Sequence, residues 1–221
     1  MRGLRGNTAI RIGLMAVLLM AGMFVAAPPL HAISFNLTSD HCTDGCGLPG
    51  TIFGFVDVTQ NGPNVDITVH LNAGYAFAKT GAVDMQAFKF NGTGVALSDI
   101  TINAHVPALA AATGAFNGNG TGPFAFGINC PTCGGGLSDA FSNDIVFHVA
   151  SASIADVTAP NSSGNVFVAD VGVTAAGQFN GRTGPIDATG PTTTVPEPLT
   201  VTLLGLGLFG IGAALRWKNN R

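Results

Sequence analysis

Four cysteines stand in two tight pairs, Cys42-Thr43-Asp44-Gly45-Cys46 and Cys130-Pro131-Thr132-Cys133. Thiols at such spacing can do three kinds of chemistry. They can close disulfides, for which four cysteines allow three connectivities. They can give a tetrahedral zinc four thiolates, because two short pairs can converge on one ion even when far apart in sequence. Cys130-x-x-Cys133 alone can cycle between dithiol and disulfide, although no thioredoxin-like βαβ pattern surrounds it. Export, argued below from the chain ends, makes disulfides the default state of Cys42, Cys46, Cys130 and Cys133.

The histidines add little. His41 adjoins Asp40, Cys42 and Asp44, the one place where metal-ligand types crowd together, while His70 and His148 sit in alternating runs where a solvent-facing histidine is the ordinary reading. A His-Glu-x-x-His helix, a Gly-x-Ser-x-Gly elbow, a P-loop and an EF-hand loop are all missing from the sequence. Glu occurs only as Glu197, so paired-carboxylate glycoside chemistry would rest on two Asp, and the pattern does not mark which two. The expectation is a non-enzymatic protein with no assigned catalytic, cofactor or metal residue.

The chain ends carry more information than its middle. Met1-Arg2-Gly3-Leu4-Arg5 and Arg11 precede an apolar run over 12–27, which closes on Pro28-Pro29-Leu30-His31-Ala32. Basic, apolar and small residues in that order read as a secretory signal, with cleavage after Ala32. At the other end Val195-Pro196-Glu197-Pro198 leads into an uncharged, largely apolar stretch over 199–215, then Arg216-Trp217-Lys218-Asn219-Asn220-Arg221. As a helix rising about 1.5 Å per residue, that stretch nearly crosses a hydrocarbon core of about 30 Å. The basic tail, Arg216, Lys218 and Arg221, would stay on the cytoplasmic side.

The tripeptide Pro196-Glu197-Pro198, the short apolar helix and the terminal basic cluster together resemble the PEP-CTERM sorting signal, also catalogued as an ice-binding-protein C-terminal segment. The resemblance covers 195–221 and implies delivery, not chemistry. It implies an exosortase-type processing protease as partner, anchoring in the inner membrane through the C-terminal helix before processing, and then display at the cell surface or in the extracellular matrix.

Removing the two targeting segments changes the charge. Only Lys79, Lys89 and Arg182 remain between 33 and 195, against eleven Asp, so the formal charge there is −8 rather than the −3 of the whole chain. Nucleic acid is excluded as a partner, since counterion release needs clustered Lys and Arg. A neutral extracellular polysaccharide remains compatible. The same stretch has no Glu and is rich in Asp, Asn, Thr and Gly, residues of turns rather than helix surfaces.

The elements follow from period-two alternation. Runs over 52–58 and 65–71 form a hairpin around Asn61-Gly62-Pro63, and further strands are expected over 82–90, 96–104, 144–157 and 165–173. Thirteen phenylalanines in about 160 residues are enough for one packed core. The predicted architecture is all-β, an antiparallel β-sandwich with a single C-terminal transmembrane helix, and a closed barrel is the runner-up. Its parts are a signal peptide over 1–32, a β-rich extracytoplasmic domain over 33–190, and a sorting segment over 191–221 with its helix at 199–215. Phe90-Asn91-Gly92-Thr93-Gly94 echoes in Phe116-Asn117-Gly118-Asn119-Gly120-Thr121-Gly122-Pro123 and in Phe179-Asn180-Gly181-Arg182-Thr183-Gly184-Pro185. The uneven spacing excludes a solenoid, and each echo reads as a Gly-permissive turn introduced by an inward-packing Phe.

The function these features point to is an exported surface or matrix protein, structural or adhesive. A carbohydrate-binding surface module is the alternative, although such sites favour aromatic platforms and the mature stretch has Tyr75 alone and no Trp. Ice binding lacks the regular Thr arrays a flat ice-facing sheet would need. The signal reading predicts a mature N-terminus at Ile33. Terminal-peptide mass spectrometry checks this, and a chain that keeps Met1 would overturn it.

Overall fold

The computed structural model describes residues 31–80 and 84–194. Their strands, numbered in chain order, make two antiparallel sheets. The first runs β14 (Thr193–Thr194), β1 (Ala32–Leu37), β3 (Gly54–Asn61), β4 (Asn64–Leu71), β11 (Ile145–Val149) and β7 (Ile100–Ile102). The second runs β10 (Gly136–Phe141), β5 (Tyr75–Lys79), β12 (Phe167–Val173), β6 (Phe88–Phe90), β9 (Pro123–Asn129) and β8 (Ala110–Asn117). On the other edge of β12 lies β13 (Thr183–Ala188), which also pairs with β2 (Ser39–Asp40). The chain passes from the first sheet to the second at Thr38, whose amide donates to the Asp187 carbonyl at 3.0 Å.

All-β architecture is therefore observed, and one four-residue helix, Ile154–Val157, interrupts the strand expected over 144–157. Ser153 caps it, accepting from the Asp156 amide at 3.3 Å while Asp156 accepts from the Ser153 amide at 2.8 Å. The expected hairpin is present with full register from Gly54↔Leu71 to Asn61↔Asn64. Its two-residue turn starts at Gly62, whose φ of 58° is the left-handed geometry such a turn requires. The run over 96–104 yields only β7, preceded by a 3-10 turn at Leu97–Asp99. Among the described residues no helix is long and apolar enough to cross a membrane. The apolar segment 199–215, the sorting motif Pro196-Glu197-Pro198, the basic tail and nearly all of the signal peptide lie outside those residues.

Burial differs between the two sheets. In β4 every second residue is buried, Val65, Ile67, Val69 and Leu71, leaving a wet outer face that carries His70. In β12 all seven residues are buried. Phe167, Ala169, Val171 and Val173 join the core between the sheets, while Val168, Asp170 and Gly172 face away from it. Rings bridge the sheets: Phe35 of β1 meets Phe167 of β12 edge-on at 5.0 Å, and Phe147 of β11 lies 5.2 Å from Phe90 and 6.1 Å from Phe88 of β6. This aromatic joint predicts that Phe147→Ala destabilises the domain by about 3–5 kcal/mol. Phe55→Ala, on the wet face against His70, should cost far less, and denaturant unfolding of both variants checks the contrast.

Candidate functional site

The outer face of β12 is where polar chemistry accumulates. One edge of β12 is taken by two strands in succession: β5 pairs with Val171–Val173 and β6 with Phe167–Ala169. They act as one interrupted strand, and of the described residues between them Thr80, Asp84 and Gln86 do not pair with β12. Pairing resumes where the Asp170 amide donates to the Ala87 carbonyl at 2.9 Å.

Strand β6 alternates Phe88 and Phe90 into the core with Lys89 on the opposite face. Lys89 is fully buried, and its Nζ lies 2.7 Å from Asp170 Oδ1 and 3.7 Å from Asp84 Oδ2. The other oxygen of Asp170 accepts from Thr80 Oγ1 at 2.6 Å. Among the described residues Asp84 Oδ2 is buried without a hydrogen bond. Burial pushes the Asp170 carboxyl above its ordinary value; the Lys89 charge and hydrogen bond and the Thr80 hydroxyl pull it back, and the neighbouring Asp84 charge adds to the rise.

A cleft of about 360 Å³ opens above this group, lined by Thr43, Thr80, Asp84, Asn117, Asn119 and Asp170 among others. Two of the three echoed turns line it, through Asn117-Gly118-Asn119 and Thr183-Gly184-Pro185. Their glycines are needed for close approach. A Cβ on Gly118 would sit 3.1 Å from Lys89 Nζ, and one on Gly184 would sit 2.5 Å from Cys42 Cα. The Phe residues that introduce these turns differ in depth: Phe90 is fully buried, whereas Phe116 and Phe179 are half-buried.

The cysteines form two local disulfides, Cys42–Cys46 and Cys130–Cys133. Zinc binding through four thiolates is thereby replaced by covalent loop closure. Asp40, Cys42 and Cys46 do crowd together, but both sulfurs are bonded to each other and the Asp40 carboxylate accepts from the amides of Cys42, Cys46 and Gly47 at 2.9, 2.7 and 3.2 Å. Each disulfide loop is held by one cation. Arg182 donates to the carbonyls of Asp44 and Gly45, and Lys79 donates to those of Cys130 and Cys133 at 3.0 Å each. With Lys89 buried, all three cations of the domain have structural partners.

His41 does not join a metal cluster either. Its Nε2 lies 2.7 Å from Asp187 Oδ2 and 3.2 Å from Ser39 Oγ. Ser, His and Asp are thus in contact, but hydroxyl and carboxylate meet the same ring nitrogen. A proton-shuttling triad needs the carboxylate on one nitrogen and the nucleophile on the other, so this is a capping arrangement at the sheet corner.

The group Lys89, Asp170, Asp84 and Thr80 escaped sequence reasoning. Its signal was present: a single charge in each of two otherwise apolar strands, Phe88-Lys89-Phe90 and Phe167-Val168-Ala169-Asp170-Val171, with opposite signs. No protein-family model matches the chain, and neither a curated protein nor a solved structure is detectably similar to it.

Asp187 gives a pH prediction. Burial raises its pKa above 3.8, offset by hydrogen bonding and charge from His41 and by Ser39. The native state then holds this proton more tightly than the unfolded chain does. Its contribution to stability is complete below the ordinary carboxylate range and is lost as pH rises through the raised native value. Asp187→Asn should flatten that part of the stability profile, which denaturant midpoints measured from acid to neutral pH would report.

Proposed function

We propose that the chain is an exported surface or extracellular-matrix protein, delivered by a PEP-CTERM and exosortase route, whose β-sandwich serves a structural or adhesive role. The observation that carries this reading is the order Pro196-Glu197-Pro198, uncharged 199–215 and Arg216, Lys218, Arg221 at the C-terminus, opposite an N-terminal secretory pattern. In this reading 199–215 is a transmembrane helix that holds the precursor in the inner membrane until an exosortase-type protease cuts near Glu197. Two disulfides support an oxidising destination, because such bonds persist outside the cytoplasm. The cations also fit: each is engaged within the fold, which suits a passive component better than an anion-binding one.

A carbohydrate-binding surface module, with extracellular polysaccharide as partner, is the second reading, favoured by the hydroxyl and amide groups of Thr43, Asn117, Asn119 and Thr183 around the cleft. Against it stands Tyr75, the one tyrosine, which packs edge-on to Phe53 at 5.1 Å and makes no platform in that cleft.

Glu197→Ala separates sorting from plain anchoring. The apolar segment and basic tail are untouched, so membrane insertion should persist, while tail processing stops and a full-length precursor accumulates in the membrane. Immunoblots of membrane and surface fractions give the readout. A variant cut and displayed like the parent would reduce the tail to an anchor.

A further inference from the structure

We infer that Lys89 and Asp170 are the two halves of an intramolecular amide cross-link, with Asp84 as the proton relay that forms it. Three observations carry this. Lys89 Nζ and Asp170 Oδ1 are 2.7 Å apart, a hydrogen-bonded contact that holds the amine nitrogen beside the carboxyl group it would attack, and both side chains are buried. A second carboxylate, Asp84, stands 3.7 Å from the same nitrogen, its Oδ2 buried and without a hydrogen bond among the described residues. The second oxygen of Asp170 is held by the Thr80 hydroxyl at 2.6 Å, which polarises the carbonyl and fixes its orientation.

A surface ion pair would have none of these features. As a stabilising device, an ion pair this deep is poor, because desolvating two charges offsets most of their attraction. Proton transfer within the pair yields an amine beside a carboxylic acid, both neutral and both reactive once water is excluded.

The step balances without any co-reactant. The Lys89 Nζ lone pair forms a bond to Asp170 Cγ, and the bond from Cγ to Oδ1 breaks. The departing oxygen keeps its own proton and receives one of the amine's through Asp84 Oδ2, leaving as water. The cleft above the group, lined by Thr80, Asp84 and Asp170, connects it to solvent. The product amide keeps Oδ2 as its carbonyl, still accepting from Thr80. Its N–H points to Asp84 and supplies the partner that Oδ2 lacks. No reactant is charged away and no residue is oxidised or reduced.

The link would tie β6 to β12 covalently at the centre of the second sheet, across a sequence separation of 81 residues. The inference stands on the β domain alone and is independent of the delivery route.

Peptide mapping of the full chain, reduced and denatured, tests it. Trypsin should cut after Lys79 and Arg182 but not after Lys89, giving a fragment over 80–182 short by the elements of one water. Chymotrypsin should then release a branched peptide containing both Lys89 and Asp170. Free fragments over 80–89 and 90–182 at their sequence masses would overturn the proposal. Asp84→Asn should abolish the water loss while Lys89 becomes cleavable. A cross-link that forms undiminished in that variant would overturn the relay role of Asp84.

Discussion

The burial of β12 on both faces is the constraint from which the rest of the domain follows. A strand at the centre of an antiparallel sheet normally leaves one face to water. Here the second face carries Asp170, and a carboxylate out of water requires an opposing charge and hydrogen bonds to its oxygens. Lys89 supplies the first from the adjacent strand, and Thr80 and the same ammonium supply the second. Neither residue could be placed alone. The interruption between β5 and β6 is where Thr80 and Asp84 meet the pair.

The loops over this face need anchoring, and the domain's few cations and its disulfides provide it. Each disulfide closes only a few residues, so its effect on the unfolded chain is small, about 2 kcal/mol by loop entropy. Their value is local. The Cys42–Cys46 loop lies against Gly184 of β13 with Arg182 clamped to its carbonyls, and the Cys130–Cys133 loop is held by Lys79 at the end of β5. Arg182 also sits 5.1 Å above the Phe179 ring, so one guanidinium joins the echoed turn to the disulfide loop. The outer face of the second sheet is in effect a small polar layer, roofed by short constrained loops instead of by a helix.

The sequence was legible where one face is wet. In Val65-Asp66-Ile67-Thr68-Val69-His70-Leu71 the alternation is uninterrupted, and the strand, its hairpin partner and the solvent side of His70 all follow from it. Away from such a face it was less legible: the doubly buried β12 was anticipated by the run over 165–173, but β13 and β8 were not. Thr183-Gly184-Pro185-Ile186-Asp187-Ala188 has no period-two signal, yet forms β13 because neighbours cover both sides. Ala110–Asn117 has no buried residue, so β8 has little apolar pattern to show. The run over 144–157 reads as one strand, but Ser153 and Asp156 cap each other and turn its end into a helix.

By itself the sequence determined the fold class: a Glu-free middle that makes sheets rather than helices, and cysteines spaced closely enough for local pairing. These are properties of composition and of neighbours along the chain. Tertiary structure alone decided which Asp of eleven meets Lys89, because Lys89 and Asp170 are 81 residues apart and touch only when β6 docks beside β12. It also decided the disulfide connectivity, one of three combinations, and turned two scattered Asn-Gly and Thr-Gly-Pro segments into walls of one cleft. The physical reason is the same in each case. A charge, a thiol or a glycine has no partner until strand order brings one to it, and strand order in an antiparallel sheet is set by long-range pairing that local pattern does not encode.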